Sequence, residues 1–292
     1  MTGRILLPVA EGQQTLMTTD EAVRTLRADP QCADLVRDAY LGLDVADSAR
    51  RFQESGEFAE VRRILGSRLK GATVLDLGAG CGIASHAFAA SGAARVIAVD
   101  PDPSDEVGRG AMARLAGGFG FEILDGFGEA IPLADSSVDI VYCRQVLHHA
   151  RNLPQVLREC ARVVKPGGIV LACREHVVDD DAQLRRFLAD HPINRLAGGE
   201  NAHALATYLA AITGAGFRID TVYGPWRSVI NAFPAVRTQA ELEAVPEARL
   251  VRRFGRLGRL AARVPGVRAL IWRRIDRPVP GRMYSFLAHR PA

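Results

Sequence analysis

Apolar residues change their period along the chain near residue 73. Before that point they recur every three or four positions in "QCADLVRDAYLGL" and "GEFAEVRRILGSRL", the spacing of an amphipathic helix. "TTDEAVRTLRADP" offers Thr19 or Asp20 as a helix cap and stops before Pro30. Residues 18 to about 70 are therefore expected to be helical. Afterwards short β-type runs, at 73–77, 95–100, 119–124, 138–143 and 168–174, alternate with helical or loop segments. That alternation predicts strand–helix–strand units on a parallel sheet with helices on both faces. "NAHALATYLAAITGAG" reads as a further helix, and 217–223 and "GRMYSFLAHR" as two more strands. The expected fold class is α/β: a doubly wound, mostly parallel, seven-stranded sheet with N-terminal helices and a helical insertion before the last strand. The expected division is a helical cap over 1–70, a core over 71–224 plus 281–292, and an insertion over 225–280.

"VLDLGAGCG", residues 74–82, ends the first predicted strand and opens a predicted helix. Glycine lacks Cβ, so it allows tight turns and lets a ligand lie against bare backbone. The helix start that follows carries unpaired N–H groups. Gly78, Gly80 and Gly82 are thus expected to floor a binding site at the carboxyl end of the sheet, where open α/β sheets bind ligands. Asp100 ends the second strand, 24 positions after Asp76. A carboxylate at that tip is placed to accept from both hydroxyls of a ribose, which points to an adenosine derivative.

A dehydrogenase fingerprint is G-x-G-x-x-G, whereas this loop has G-x-G-x-G with an aspartate two residues ahead. The loop resembles the first motif of the S-adenosylmethionine-dependent methyltransferases of the Rossmann-like type. The resemblance extends through "EAIPLADSSVDIVYCRQVLHHARNLPQVLRECARVVKPGGIVLACRE" and covers about residues 71–174 plus the terminal strand pair. It implies the Rossmann-like methyltransferase fold and S-adenosyl-L-methionine as cofactor. Its implied contacts are Asp76, Gly78, Ala79, Gly80 and Gly82 in the loop, with Asp100 and Pro101 after the second strand. Phe127, Gly128 and Glu129 follow the third strand, and Arg144 and Gln145 end the fourth. Many relatives carry an acid–alanine pair where Phe127 and Gly128 stand here. Phe127 would then stack on or flank adenine, with Asp125 or Glu129 giving the polar contact.

Methyl transfer from a sulfonium needs chiefly a held geometry, and a base only where the acceptor must lose a proton. His148 and His149, after the fourth strand, and Glu175 and His176, after the fifth, are the candidates. Histidine titrates near neutral pH; Glu175 and His176 form either a second base or an orienting pair. The "DDD" run at 179–181 is expected to cap a helix, and no metal is expected. "YGPWRSVINAFP" either lines an acceptor pocket, with Trp226 and Phe233 as walls, or packs as a plain loop.

Composition narrows the setting. The chain is 48% hydrophobic and 24% charged, an ordinary globular balance. No uncharged apolar run nears the roughly 18–20 residues that span a bilayer. "MTGRILLPVAEG" is not expected to act as a secretory signal. Five scattered cysteines without a C-x-x-C pair read as reduced thiols in a cytoplasmic protein. Charge is unevenly spread: residues 249–274 hold nine arginines and no acid. At 100° per residue Leu250, Phe254, Leu257, Ala261 and Val264 share one helical face and the arginines the other. Such a helix lies on an anionic membrane surface, surrounds an anionic substrate, or packs on the core with its arginines solvated. Nucleic acid is not an expected partner, since the interleaved aromatics of a stacking platform are missing. The expected function is methyl transfer to a small-molecule or lipid-like acceptor. An NAD-dependent oxidoreductase and a non-catalytic S-adenosylmethionine-binding protein are the alternatives.

Overall fold

The computed structural model describes residues 16–117 and 120–292. The N-terminal apolar run and Phe119, the first residue of the third expected strand, lie outside the described residues. Helices α1 (Thr19–Ala28), α2 (Ala33–Asp38), α3 (Val45–Gln53) and α4 (Gly56–Leu65) precede the sheet. The cap of α1 is Thr18, one residue earlier than expected. Its hydroxyl accepts from the Glu21 amide while the Glu21 carboxylate accepts from the Thr18 amide, so two first-turn donors are satisfied reciprocally.

The alternating core follows as β1 (Thr73–Leu77), α5 (Ile83–Ala89), β2 (Arg95–Val99), α6 (Arg109–Ala116) and β3 (Glu122–Leu124). It continues through β4 (Val138–Arg144), α7 (Leu153–Val163) and β5 (Val164–Val177). After α8 (Asp181–Asp190), α9 (Pro192–Ala197) and α10 (Leu205–Gly214) comes β6 (Arg218–Tyr223). The last stretch is α11 (Val229–Ala232), α12 (Gln239–Phe254), α13 (Arg256–Ala261), α14 (Pro265–Ile275) and β7 (Arg282–His289). Asp180 caps α8 by accepting from the Gln183 amide, the role expected of the acidic run.

The seven strands form one sheet in the order β3-β2-β1-β4-β5-β7-β6, with β7 antiparallel to both neighbours. Alternate side chains enter opposite layers: Val74 joins Phe58, Phe88 and Tyr142 on one face, and Leu75 and Leu77 join Val141, Leu157 and Val170 on the other. Strand order reverses between β1 and β4, which opens a crevice at their carboxyl ends.

The N-terminal helices are tied down by charge as well as apolar packing. Glu57 on α4 is fully buried and meets Arg144 of β4 through two hydrogen bonds of 2.7 and 3.1 Å. Arg174 of β5 lies 4.0 Å from the same carboxylate. Burial works against the Glu57 anion, yet the two guanidiniums outweigh it and hold its pKa below the ordinary value. Helix α1 is joined by Arg24 and Arg27 to Glu106, after β2, and by the Met17 amide to the Leu196 carbonyl of α9.

The single basic helix expected over 249–264 is broken. Gly255, at φ 54°, ends α12, and α13 starts at Arg256. Gly258 then packs so closely on α12 that a Cβ there would lie 2.2 Å from the Leu250 carbonyl oxygen. Leu250 is buried, but Phe254, Leu257 and Val264 of the expected apolar stripe are at least half exposed.

Candidate cofactor crevice

Residues from the ends of β1, β2 and β4 and from the loop after β3 enclose a crevice of about 370 Å³, within the size range of small-molecule sites. Leu77, Gly78 and Gly80 form one side, Asp100 and Pro101 the next, and Phe127, Gly128 and Glu129 a third. Gln145, Val146 and His149 close it from β4. Asp100 is locked by its own backbone surroundings: one oxygen accepts from the Gly80 amide and the other from Asp102, both at 2.8 Å. Glu129 accepts from the Arg151 and Asn152 amides at 2.9 and 3.1 Å, which fixes the loop ahead of α7. Phe127 is half exposed at the rim, with the Arg151 guanidinium over its ring. Gln145 has φ 58° and Arg174 φ 61°, a costly backbone state for residues with side chains and one that gathers at functional sites.

The glycines divide the work differently from the expectation. Gly78, at φ 67°, could take no Cβ, which would fall 2.5 Å from Val146. Gly82 does not floor the crevice: it starts α5 at φ 82°, and a Cβ there would strike Met112 at 2.7 Å. Its smallness seats α5 against α6.

The methyltransferase domain family matches residues 75–172. The crevice lies wholly within the stretch that matches a methyltransferase domain. An uncharacterized methyltransferase of Mycobacterium ulcerans is 40% identical over 106 residues. That match covers 36% of this chain and 40% of the relative, so the chain spans less than half the length of the curated relatives it matches. Among solved structures, the S-adenosylmethionine dependent methyltransferase of Mesorhizobium loti aligns at TM-score 0.53 and 20% identity. Its alignment covers 81% of this chain and 99% of that one. The phosphoethanolamine N-methyltransferase 2 of Haemonchus contortus, solved with S-adenosyl-L-methionine, aligns at TM-score 0.55 and 17% identity. It covers 92% of this chain and 60% of that one. These two likenesses show the shared fold.

Several of the expected contacts lie behind the crevice rather than in it. Arg144 is turned away into the Glu57 ion pair, stacked 5.5 Å from Tyr40 and 5.4 Å from Phe52, so it is no rim residue. Ala79 is buried, its amide bonded to the Val99 carbonyl. Asp125 pairs with Arg109. Phe233 is buried on Tyr40, rings 6.0 Å apart and near parallel, and Trp226 packs against the buried cluster of Val229, Ala232, Val236 and Leu242. Neither lines the crevice, so their segment is a packed one.

Asp76 is buried beneath the loop and held by the Ser85 hydroxyl at 2.6 Å. Burial pushes its carboxyl up to about 7, against the hydrogen bond from Ser85 and with the help of nearby Asp100. A folded pKa above the ordinary 3.8 means that the native state binds the proton more tightly. The associated stability is present below pH ~4 and lost as pH rises through about 7. The Asp76 share of the unfolding free energy measured in urea should therefore fall by about 2.7 kcal/mol from pH 5 to 8, since each of the two decades of proton affinity lost is worth ~1.4 kcal/mol. Asp76→Asn should remove that share of the slope; an unchanged slope would place the titration elsewhere.

Of the four expected bases, only His149 faces the crevice. Burial and the charge of His148 hold its pKa below the ordinary value. His148 is buried, and its Nδ1 lies 2.7 Å from Glu175 Oε2. Burial alone would depress His148, but the Glu175 hydrogen bond and the nearby Glu200 carboxylate push it up to about 9. Glu175 also accepts from the Val146 and His148 amides, so it orients rather than acts as base. His176 is bound through Nδ1 to the Gly281 carbonyl at 2.8 Å, not to Glu175. Glu200 was not expected here. It sits among these rings, and its signal in the chain was indirect: five of the seven histidines fall between 148 and 203.

Proposed function

We propose that this chain is an S-adenosylmethionine-dependent methyltransferase acting on a small-molecule acceptor, anionic or lipid-like. The observation that carries this reading is the coincidence of the matched domain with the crevice and its Asp100 wall. When bound, the cofactor supplies a methyl group already activated on a sulfonium. The residues present fit it: Asp100 has lone pairs left for ribose hydroxyls, and Gly78 and Gly80 offer bare backbone at the same wall. Phe127, Pro101 and Glu129 would flank the base, and Gln145 would meet the methionine end. His149, kept neutral near pH 7, is the residue to receive a proton from an acceptor that must lose one. The N-terminal helices would act as a lid, since α1 is bound both to the loop after β2 and to α9. The unpaired thiols of all five cysteines support a cytoplasmic setting. Calorimetric titration with S-adenosylhomocysteine and S-adenosylmethionine tests the reading. Heat of binding is expected from both, and binding of NAD in their place would favour the oxidoreductase instead.

A second property rests on the insertion. Phe254, Leu257, Leu260, Val264 and Leu270 are each at least half exposed amid nine arginines, and no helix among the described residues is long and apolar enough to cross a membrane. Exposed apolar side chains interleaved with cationic ones are the makings of a peripheral contact with anionic lipid. Vesicles of phosphatidylserine and phosphatidylcholine should sediment the protein, and Leu257→Asp with Leu270→Asp should release most of it. Equal sedimentation of both forms would sink the idea.

A further inference from the structure

We propose that His148, His176 and Glu200 form a site for one divalent transition-metal ion, placed at the acceptor end of the crevice beside His149. The three side chains each bring one donor atom into a group whose members lie within 4.8 Å of one another. Their outer contacts are already those of metal ligands. A ligating histidine typically donates its other ring N–H to a carboxylate or a backbone carbonyl, which fixes the tautomer. His148 Nδ1 is held by Glu175 at 2.7 Å, and His176 Nδ1 by the Gly281 carbonyl at 2.8 Å. Each arrangement turns Nε2 toward the site; on His148 that nitrogen carries a proton near neutral pH, which an ion would displace. Glu175 is itself fixed by the Val146 and His148 amides, so the geometry is supported two layers deep.

The carboxylate is the second observation. Glu200 Oε2 is buried and has no hydrogen-bond partner, although three imidazoles surround this side chain. Oε2 lies 3.6 Å from His148 Nε2 and 3.8 Å from His149 Nε2, and Oε1 lies 3.8 Å from His191 Nδ1. A plain charge-assisted hydrogen bond would close to about 2.7–2.9 Å. Donor atoms around a tetrahedral ion with bonds of about 2.0–2.1 Å stand roughly 3.3–3.4 Å apart. At 3.6 Å the His148–Glu200 contact is an ion pair too long for a hydrogen bond and close to the donor spacing around a shared ion, and the three donors, all within 4.8 Å, would draw in around it. The remaining adjustment falls on Glu200, whose chain follows Gly198 and Gly199, both at positive φ.

Two imidazoles and one carboxylate suit zinc, iron(II), cobalt(II) or nickel(II), rather than calcium or magnesium with their oxygen shells. Three protein ligands leave a position open, and His149 is the neighbour that reaches the crevice. An acceptor oxygen bound there would give up its proton more readily, with His149 Nε2 receiving it. That use rests on the methyltransferase reading; metal binding itself does not.

The test is metal binding to the full chain after chelator treatment and dialysis, followed by Co2+ titration and Zn2+ equilibrium dialysis. One Co2+ per chain is expected, with the visible ligand-field bands of a site of low coordination number. Glu200→Gln and His176→Gln should each weaken Zn2+ binding more than tenfold, while His289→Gln, on the far strand, should not. Thermal melting of the metal-free variants checks their folding; if His176→Gln does not fold, Glu200→Gln decides. Wild-type protein that shows no such bands, or binds Zn2+ no tighter than Glu200→Gln, would overturn the site. Binding lost equally in His289→Gln would do the same. Failure to bind S-adenosylhomocysteine would instead sink the cofactor reading and leave the metal result standing.

Discussion

Glu57→Ala is expected to destabilise the chain by about 3–5 kcal/mol, the usual cost of removing one partner from a buried ion pair. The carboxylate is fully buried, Arg144 reaches it with two nitrogens, and Arg174 sits just beyond hydrogen-bonding range. Truncation would leave two guanidiniums without their counter-charge. Arg174 has little to fall back on: its Nη1 already donates to the Ile230 and Phe233 carbonyls. Its buried Nε has no hydrogen-bond partner. Arg144 would keep its stacking on Tyr40 and Phe52, worth about 0.5–2 kcal/mol per ring. Glu57→Gln preserves shape and loses charge, so it should fall between wild type and alanine. Urea midpoints measure the series. Glu57→Leu combined with Arg144→Met should recover much of the loss, since it removes the desolvation of both charges together. A loss under 1 kcal/mol for Glu57→Ala would mean that water reaches the pair, contrary to its burial.

That ion pair also marks the limit of what the sequence makes legible. Strands β1 to β5 are legible because each is a short apolar run bounded by turn residues, and Asp100 because one strand–helix–strand unit separates it from Asp76. Arg144 is not: at the end of β4 it belongs either to the crevice or to whatever packs behind. That choice depends on Glu57, 87 positions away. Gly82 shares its spacing with the loop glycines, yet its constraint comes from Met112 on another helix. The insertion departs from expectation for a local reason, since periodicity continues across Gly255 while the backbone does not. Glu200 carries no motif at all. Its position is set by β5, α9 and the Gly198–Gly199 turn meeting in space, and only the density of histidines hints at it.

S-adenosylhomocysteine is expected to bind Asp100→Ala about 100-fold more weakly than wild type, equivalent to ~2.7 kcal/mol at 1.4 kcal/mol per decade. An ionised carboxylate has about four lone-pair sites, and the Gly80 and Asp102 amides occupy one on each oxygen. One site per oxygen is left, matching the two hydroxyls of a ribose. Hydrogen bonds to a charged group contribute about 1.5–3 kcal/mol each, so losing two at the low end of that range accounts for the expected change. Burial raises the Asp100 pKa and the two backbone amides oppose it, so the same donors that order the loop help to keep the acceptor charged. Alanine would also free the Gly80 amide, and a loosened loop alone would weaken binding. A cycle with the 2′,3′-dideoxy form of the product separates the two causes. If Asp100 meets the ribose, wild type should discriminate strongly against the dideoxy compound and Asp100→Ala hardly at all. Equal discrimination by both proteins would mean that Asp100 acts only through the loop, and the ribose contact would have to be sought on another wall of the crevice.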